Sequence, residues 1–252
     1  TFAPDHTSMN VIYTPTAAEI AAHTATVSLT AASTLGDCPA TVSTTIITIN
    51  PAAIVTAGGV AAVCASGPDA RLAGAIGGSA TSAVWSGAGT FSSRFIPSPV
   101  YTPTAAEISA GSATVTLTSN DPPGPCGTVT STHTITIHPV ATASAGASQT
   151  ICEGSSTLGL GGTVGGAATG GTWSSPTGGN FAPSATTLNA TYTPTAADIS
   201  AGAVTLTLSS TGQLAPCGAA TAQVVVIIHP AAIASTGGNQ TICADQVSGG
   251  LG

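Results

Sequence analysis

An eight-residue string occurs three times in this chain and constrains its fold more than any other feature. Tyr13-Thr-Pro-Thr-Ala-Ala-Glu-Ile20 returns as Tyr101 to Ile108, and again as Tyr192 to Ile199 with Asp198 in place of Glu. The repeat tyrosines are 88 and 91 residues apart. Self-similarity at a fixed period marks a chain built by repeating one structural unit. The six cysteines keep the same phase. Cys38, Cys126 and Cys217 each lie 25 residues after the repeat tyrosine, and Cys64, Cys152 and Cys243 each lie 51 after it. Pro51, Pro139 and Pro230 each lie 38 after it, and Trp85 and Trp173 are 88 apart. The three extra residues of the longer spacing fall between Trp173 and Tyr192, as loop-length changes on a constant scaffold would.

This phase divides the chain into a partial repeat over 1–50, whole repeats over 51–138 and 139–229, and a second partial repeat over 230–252. Phe2 matches Phe181 and Gly252 matches Gly161, so both ends fall inside a repeat. Two arrangements stay open. The sequence is a piece of a longer array, or the incomplete ends complement each other between neighbouring chains, as in donor-strand assembly.

Alternation of apolar and hydroxyl residues marks strands at Thr26–Thr30, Thr114–Thr118 and Thr205–Leu208. Val27, Leu29, Val115, Leu117, Leu206 and Leu208 are expected to face a core, with the β-branched threonines facing water. Thr44–Ile49, Thr134–Ile137 and Val224–Ile228 read as the following strand, stopped by the repeat proline. Leu72–Ile76 and Leu158–Leu160 suggest an earlier strand, and Trp85 and Trp173 the one after it. Residues 120–126, rich in Pro and Gly, read as a loop. Thr16 with Glu19, and Thr104 with Glu107, fit a capping box; in Thr195 with Asp198 the shorter acid fits less well. Each pair is expected to open a single helical turn, plugged by Ile20, Ile108 or Ile199. Some seven short strands in about 90 residues, with a buried Trp, describe an all-β fold of tandem immunoglobulin-like β-sandwich repeats. Small residues leave little side chain to bury, so each sandwich should be thin-cored.

Composition excludes several function classes. Charged residues are 4% of the chain, against roughly 25% in ordinary globular proteins. There are two arginines, Arg71 and Arg94, and no lysine. Cations for nucleic acid or an anionic membrane surface are lacking. No stretch of about 18 apolar residues is present, so no membrane-inserting segment is expected, and no basic stretch leads into an apolar run as in a signal peptide. The nine acids do not cluster as calcium ligands would. No Cys-x-x-Cys or Cys/His set has zinc spacing. Gly159–Gly171 lacks the phosphate-loop and dinucleotide fingerprints and reads as turns and tight packing. No residue stands out as catalytic, and neither a cofactor nor a metal is expected. His138 and His229 are in phase, with Asn50 in their place in the first copy, and read as strand-end surface residues.

The assembled string runs Tyr-Thr-Pro-Thr-Ala-Ala-Asp-Ile, Leu-Thr-Leu, Pro-Cys-Gly, then Ile-Xaa-Pro. It continues through Gly-Asn-Gln-Thr-Ile-Cys (238–243), a glycine-rich run and Gly-Thr-Trp-Ser. It resembles the tandem immunoglobulin-like (PKD-like) repeats of very large bacterial cell-surface and secreted proteins, including adhesins tied to gliding motility. The resemblance covers essentially the whole chain. It implies an extracellular location and a stalk, fibre or adhesive role, and it carries no catalytic residues. Arg71–Phe95 drifts from the corresponding segment of the next repeat.

In-phase cysteines in such a setting imply disulfides. On the immunoglobulin template, Cys64–Cys217 joins the foot of one domain to the head of the next. Cys64–Cys126 would have to span a sandwich, so it is less favoured; Cys38–Cys64 is a third pairing. Asn189-Ala-Thr191 and Asn239-Gln-Thr241 match the N-glycosylation pattern, and the exposed threonines suit O-glycosylation. The expected function is a structural repeat of an extracellular fibre or adhesin stalk, with copies of the same chain as partners. The alternative is a carbohydrate- or surface-binding module that uses Trp85, Trp173 or nearby loops as a stacking platform for surface glycans.

Overall fold

The computed structural model describes residues 1–31, 39–122, 124–234 and 243. The chain is an all-β tandem of immunoglobulin-like sandwiches and forms two compact units. The first holds Thr1–Val63 and Gly67–Ile137. The second holds Cys64–Ser66 and His138–Gly252.

The first unit begins with a partial repeat. Its elements are β1 (Phe2–Ala3), β2 (Ile12–Tyr13), the helix α1 (Ala17–Ala22), β3 (Thr24–Ala31) and β4 (Thr41–Thr48). A whole sandwich follows: β5 (Ile54–Gly59), β6 (Ala62–Cys64), β7 (Ala70–Gly77), β8 (Ala83–Ser86), β9 (Thr90–Phe91), β10 (Val100–Thr102), α2 (Ala105–Ala110), β11 (Ser112–Ser119) and β12 (Thr130–His138). Its sheets are ordered β5-β7-β10-β9 and β6-β12-β11-β8. Trp85, Tyr101, Leu72, Val115, Leu117, Ile135 and Ile137 are buried, contributed by both sheets.

The second unit repeats the plan with β13 (Thr142–Ser144), β14 (Gln149–Cys152), β15 (Thr163–Gly165), β16 (Gly170–Ser174), β17 (Asn180–Ala182), β18 (Thr191–Thr193), α3 (Ala196–Ala201), β19 (Ala203–Thr211) and β20 (Thr221–His229). One sheet runs β14-β20-β19-β16, and the pairs β13-β15 and β17-β18 complete the unit. Along β19 every second residue is buried, as the alternation of Thr with Val or Leu dictates. Val204, Leu206 and Leu208 pack with Trp173, Tyr192, Leu160 and the inward residues of β20. The short β14 lies parallel to β20, pairing Gln149 with Val226 and Cys152 with His229.

Leu158–Leu160 is not a strand. Leu158 is exposed while Leu160 is buried, held by its N–H on the Ala190 carbonyl. Glycines bring this irregular segment against the core. A Cβ on Gly162 would stand 2.7 Å from Trp173 and 2.9 Å from Leu208.

The repeat position also sets what each partial element can bury. Leu117 and Leu208 are 2% and 0% exposed, whereas their counterpart Leu29 is 59% exposed. β3 and β4 pair only with each other among the described residues. Ile20 is likewise exposed, while Ile108 and Ile199 are half-buried. The expected plug packs against the core at Ile199, is half-buried at Ile108, and is exposed at Ile20.

Candidate assembly sites

The recurring string is a hydrogen-bonded corner. Tyr13, Tyr101 and Tyr192 stand on β2, β10 and β18, each opposite a phenylalanine of the preceding strand. The ring centroids of Phe2–Tyr13, Phe91–Tyr101 and Phe181–Tyr192 are 5.0, 4.8 and 5.0 Å apart. Six residues on, the acid of the capping box accepts the tyrosine hydroxyl, at 2.6 Å on Glu19, 2.7 Å on Glu107 and 2.7 Å on Asp198. The same carboxylate accepts from the backbone N–H of the capping threonine. One carboxylate thus fixes both the helix start and the strand before it.

Asp198 completes its capping box despite its length. It is 1% exposed, and the Thr177 hydroxyl donates to its second oxygen at 2.6 Å. The inward position of the shorter acid is stabilised by a donor that neither glutamate has. Burial pulls the pKa of Asp198 and Glu107 up, but the converging hydrogen bonds outweigh it and leave both below their ordinary values. At Glu19 the Tyr13 hydroxyl and the Thr16 donors bring the value down to about 2. Burial, and then the bond to Glu107, push Tyr101 up to about 12. These acids are occupied by structure.

Cys64 and Cys217 form a disulfide with Cα atoms 5.0 Å apart. Cys64 closes β6, and Cys217 lies in the loop between β19 and β20. Both flank His138. The Ala65 N–H donates to the His138 carbonyl at 2.9 Å, and the Cys217 sulfur lies 3.6 Å from that oxygen. Cys126, Cys152 and Cys243 are free thiols; Cys126 is half-buried and the other two are exposed. The Cys126 sulfur stands 3.8 Å from the carbonyl of Asn50, the residue in phase with His138. Cys38 lies outside the described residues.

The β3–β4 hairpin, which pairs with no further strand among the described residues, is the second feature. Val27, Leu29, Phe2, Met9 and Val11 line a groove of about 680 Å³ on it. Val42 and Ile46 are 57% and 72% exposed on β4.

No protein-family model matches the chain, and no curated protein matches it in sequence. Solved structures do match. Protocadherin gamma B2 extracellular cadherin domains 3–6 aligns at 13% identity and TM-score 0.37, over 83% of this chain and 58% of that one. Protocadherin gamma C5 EC1-3 aligns at 13% identity and TM-score 0.43, over 87% and 82%. A calcium-stabilised adhesin with which an Antarctic bacterium binds ice aligns at 16% identity and TM-score 0.42, over 84% and 57%. This chain thus spans little more than half the length of the first and third.

Trp85 and Trp173 are 0% and 2% exposed, so neither offers a face for stacking a sugar. Asn189 is exposed, and its side-chain oxygen accepts the Gly161 N–H at 2.9 Å, tying the turn to the glycine-rich run. Asn239 lies outside the described residues. The His133 ring lies 3.0 Å from the Val60 carbonyl. Among the described residues, no three His, Cys, Asp or Glu side chains gather where a metal could sit, and no helix is long and apolar enough to cross a membrane. Sequence reasoning missed the Tyr-to-acid bond, although the invariant spacing of six residues between them was its signal. It also missed the parallel strand β14, whose four residues of mixed polarity carry no period.

Proposed function

We propose that this chain is a structural segment of an extracellular stalk or fibre of adhesive type. The observation that carries the reading is the Cys64–Cys217 disulfide, which joins residues of consecutive sequence repeats. Disulfides persist in oxidising compartments outside the cytosol. A cross-link between repeats limits how far chain segments separate under load. The polar groups of highest definition, the Tyr-acid corners, are spent on shaping each repeat, and the two tryptophans are spent on its core. The chain's work on this reading is to hold spacing and resist pulling and proteolysis; two arginines and no lysine leave few basic cleavage sites. Surface glycans at Asn189 and on threonine would shield the exposed strands.

Electron microscopy of native material, prepared without reductant, tests this. Beaded strings or ordered fibres containing this chain are the expected result. Isolated globular particles would overturn it.

A further inference from the structure

We propose that the first whole sandwich holds a site for a small neutral molecule with a branched aliphatic end and a carbonyl, seated in a hollow that the second sandwich closes with its own Leu188. The site goes beyond the structural reading, which stands or falls without it.

The hollow measures about 240 Å³. Gly74 and Ile76 of β7, Ala83 of β8, Leu117 of β11 and Pro97 line it, with Phe95 and Ile96 exposed at its rim. Repeat phase gives the first five the counterparts Gly162, Val164, Gly171, Leu208 and Leu188. The backbone agrees with that phase, since the Pro97 carbonyl accepts the Gly74 N–H at 2.7 Å and the Leu188 carbonyl accepts that of Gly162 at 3.0 Å. In the second unit the counterparts converge. A Cβ on Gly171 would stand 2.9 Å from Leu188, 3.0 Å from Leu208 and 3.1 Å from Val164. Leu188 and Val164 both pack against the core there. Proline has no isobutyl group, so the place that Leu188 fills stays open in the first sandwich.

A second difference lies at the same place. The Leu188 carbonyl also accepts the Trp173 indole N–H, at 3.0 Å. Trp85 is fully buried, yet its indole nitrogen has no hydrogen-bond partner among the described residues. A Cβ on Gly74 would stand 2.9 Å from Leu117, 2.9 Å from Cζ2 of Trp85 and 3.1 Å from the Pro97 oxygen. Cζ2 is bonded to the ring carbon that carries Nε1, so the unused donor lies beside the hollow, behind Gly74 and Leu117. A buried donor without an acceptor is costly, and an acceptor that reaches it is favoured. The first sandwich therefore lacks the two things that Leu188 supplies to the second, a branched aliphatic group and an acceptor for the indole. No charged residue lines the hollow, and a carboxylate placed there would lose water without gaining a partner. The hollow exceeds the apolar cavity of about 150 Å³ that takes up benzene in an engineered protein. The probe that matches it is 4-methyl-2-pentanone, an isobutyl group joined to a neutral carbonyl.

The test is nuclear magnetic resonance of the 252-residue chain with nitrogen-labelled tryptophan, the two indole signals being assigned with Trp173→Phe. Titration with 4-methyl-2-pentanone should move the Trp85 signal downfield and saturably in the millimolar range, and leave that of Trp173 in place. The isosteric carboxylate 3-methylbutanoate should bind at least tenfold more weakly to the parent chain. Pro97→Leu, which installs the residue of the second unit, should abolish the saturable shift. A Trp85 signal that stays still, or that moves in step with that of Trp173, overturns the proposal. Equal binding of the carboxylate overturns it too, as does a Pro97→Leu chain that keeps the parent urea midpoint and still binds. The carboxylate comparison decides on the parent chain alone should Pro97→Leu fail to fold.

Discussion

Leu29, Leu117 and Leu208 occupy one repeat position in three surroundings, and truncating them separates packing from sequence. Leu208 is 0% exposed, and its methyl groups abut Gly162, Gly171 and, through them, Trp173. Replacement by Ala removes three carbon groups, about 2.4 kcal/mol of transfer free energy at about 0.8 kcal/mol each. The rigid glycine backbone around the site resists collapse, so a cavity term adds to this and places Leu208→Ala at about 3–4 kcal/mol. For a sandwich of this size that lowers the melting midpoint by roughly 4–8 °C per kcal/mol. Leu29, 59% exposed, lacks that environment. Leu29→Ala should change stability by no more than about 0.5 kcal/mol. The assay is urea unfolding at micromolar concentration in a Trp85→Phe background, where Trp173 reports the second unit, with calorimetry for Leu29→Ala. A loss below about 1 kcal/mol at Leu208 would refute the claim of close packing. An equal loss at Leu29 would show that the hairpin is covered in the dilute chain.

Gly179→Ala would drive a Cβ into the Tyr192 hydroxyl, which bonds Ser175 and Asp198; displacing that ring should cost about 1–3 kcal/mol in urea unfolding. Asp198→Ala removes the acceptor of the buried Tyr192 hydroxyl and of the exposed Thr177 hydroxyl and should destabilise by about 2–3 kcal/mol, more than Glu19→Ala in the partial repeat, by the same assay. Glu19, Glu107 and Asp198 have folded pKa values below their ordinary 4.5, 4.5 and 3.8, so the stability they add is full above those values and is lost as pH falls through the folded ones, to about 2 for Glu19. Tyr101 is raised, so its contribution is full below its ordinary 10.0 and is lost as pH rises towards about 12. Melting temperature against pH should accordingly fall at both extremes and stay level between. Cys64→Ser opens a link between residues 153 apart; chain entropy sets the loss at no more than about 5 kcal/mol, read as the drop in urea midpoint that reductant also produces in the parent chain.

The parts of the fold that were legible in the sequence are those that repeat or alternate. Three copies of one string marked the recurring tyrosine strand and helical turn, and Thr–Leu alternation located β3, β11 and β19. Features outside these two periods escaped. Leu160 is buried from an irregular segment because glycines let the backbone approach Trp173, and a Leu-Gly-Leu pattern mimics a strand there. Asp198 looked too short for its cap because its acceptor geometry depends on Thr177, 21 residues away in sequence. The tyrosine hydroxyl bonds were similarly hidden, since apolar packing alone accounts for a tyrosine on a strand. At the candidate assembly site, phase identified which cysteines are equivalent, but their pairing depends on which residues flank His138 in space.

Low charge in this chain has a structural consequence that bears on assembly. Soluble β proteins commonly protect exposed strand edges with lysine or other charges. Here lysine is absent, and the hairpin strand β4 carries Thr, Val, Ser and Ile with no charged residue at all. Buried polar needs are met by hydroxyls instead. Ser119 and Ser210, at one repeat position, accept the N–H groups of Val129 and Ala220 at 2.9 and 2.8 Å, and Thr157 accepts that of Tyr192 at 2.7 Å. A hydroxyl satisfies a backbone group without repelling a neighbouring chain. A surface of this kind lets strands meet at an edge and offers little to choose between registers. The register must then be selected by something sparse and directional. Cysteines fixed in phase with the repeat meet that need, because a disulfide closes only when the Cα atoms lie within about 7 Å, and a strand slipped by two residues moves its thiol by roughly that distance. Within the chain, Cys64 and Cys217 meet that distance condition, with Cα atoms 5.0 Å apart.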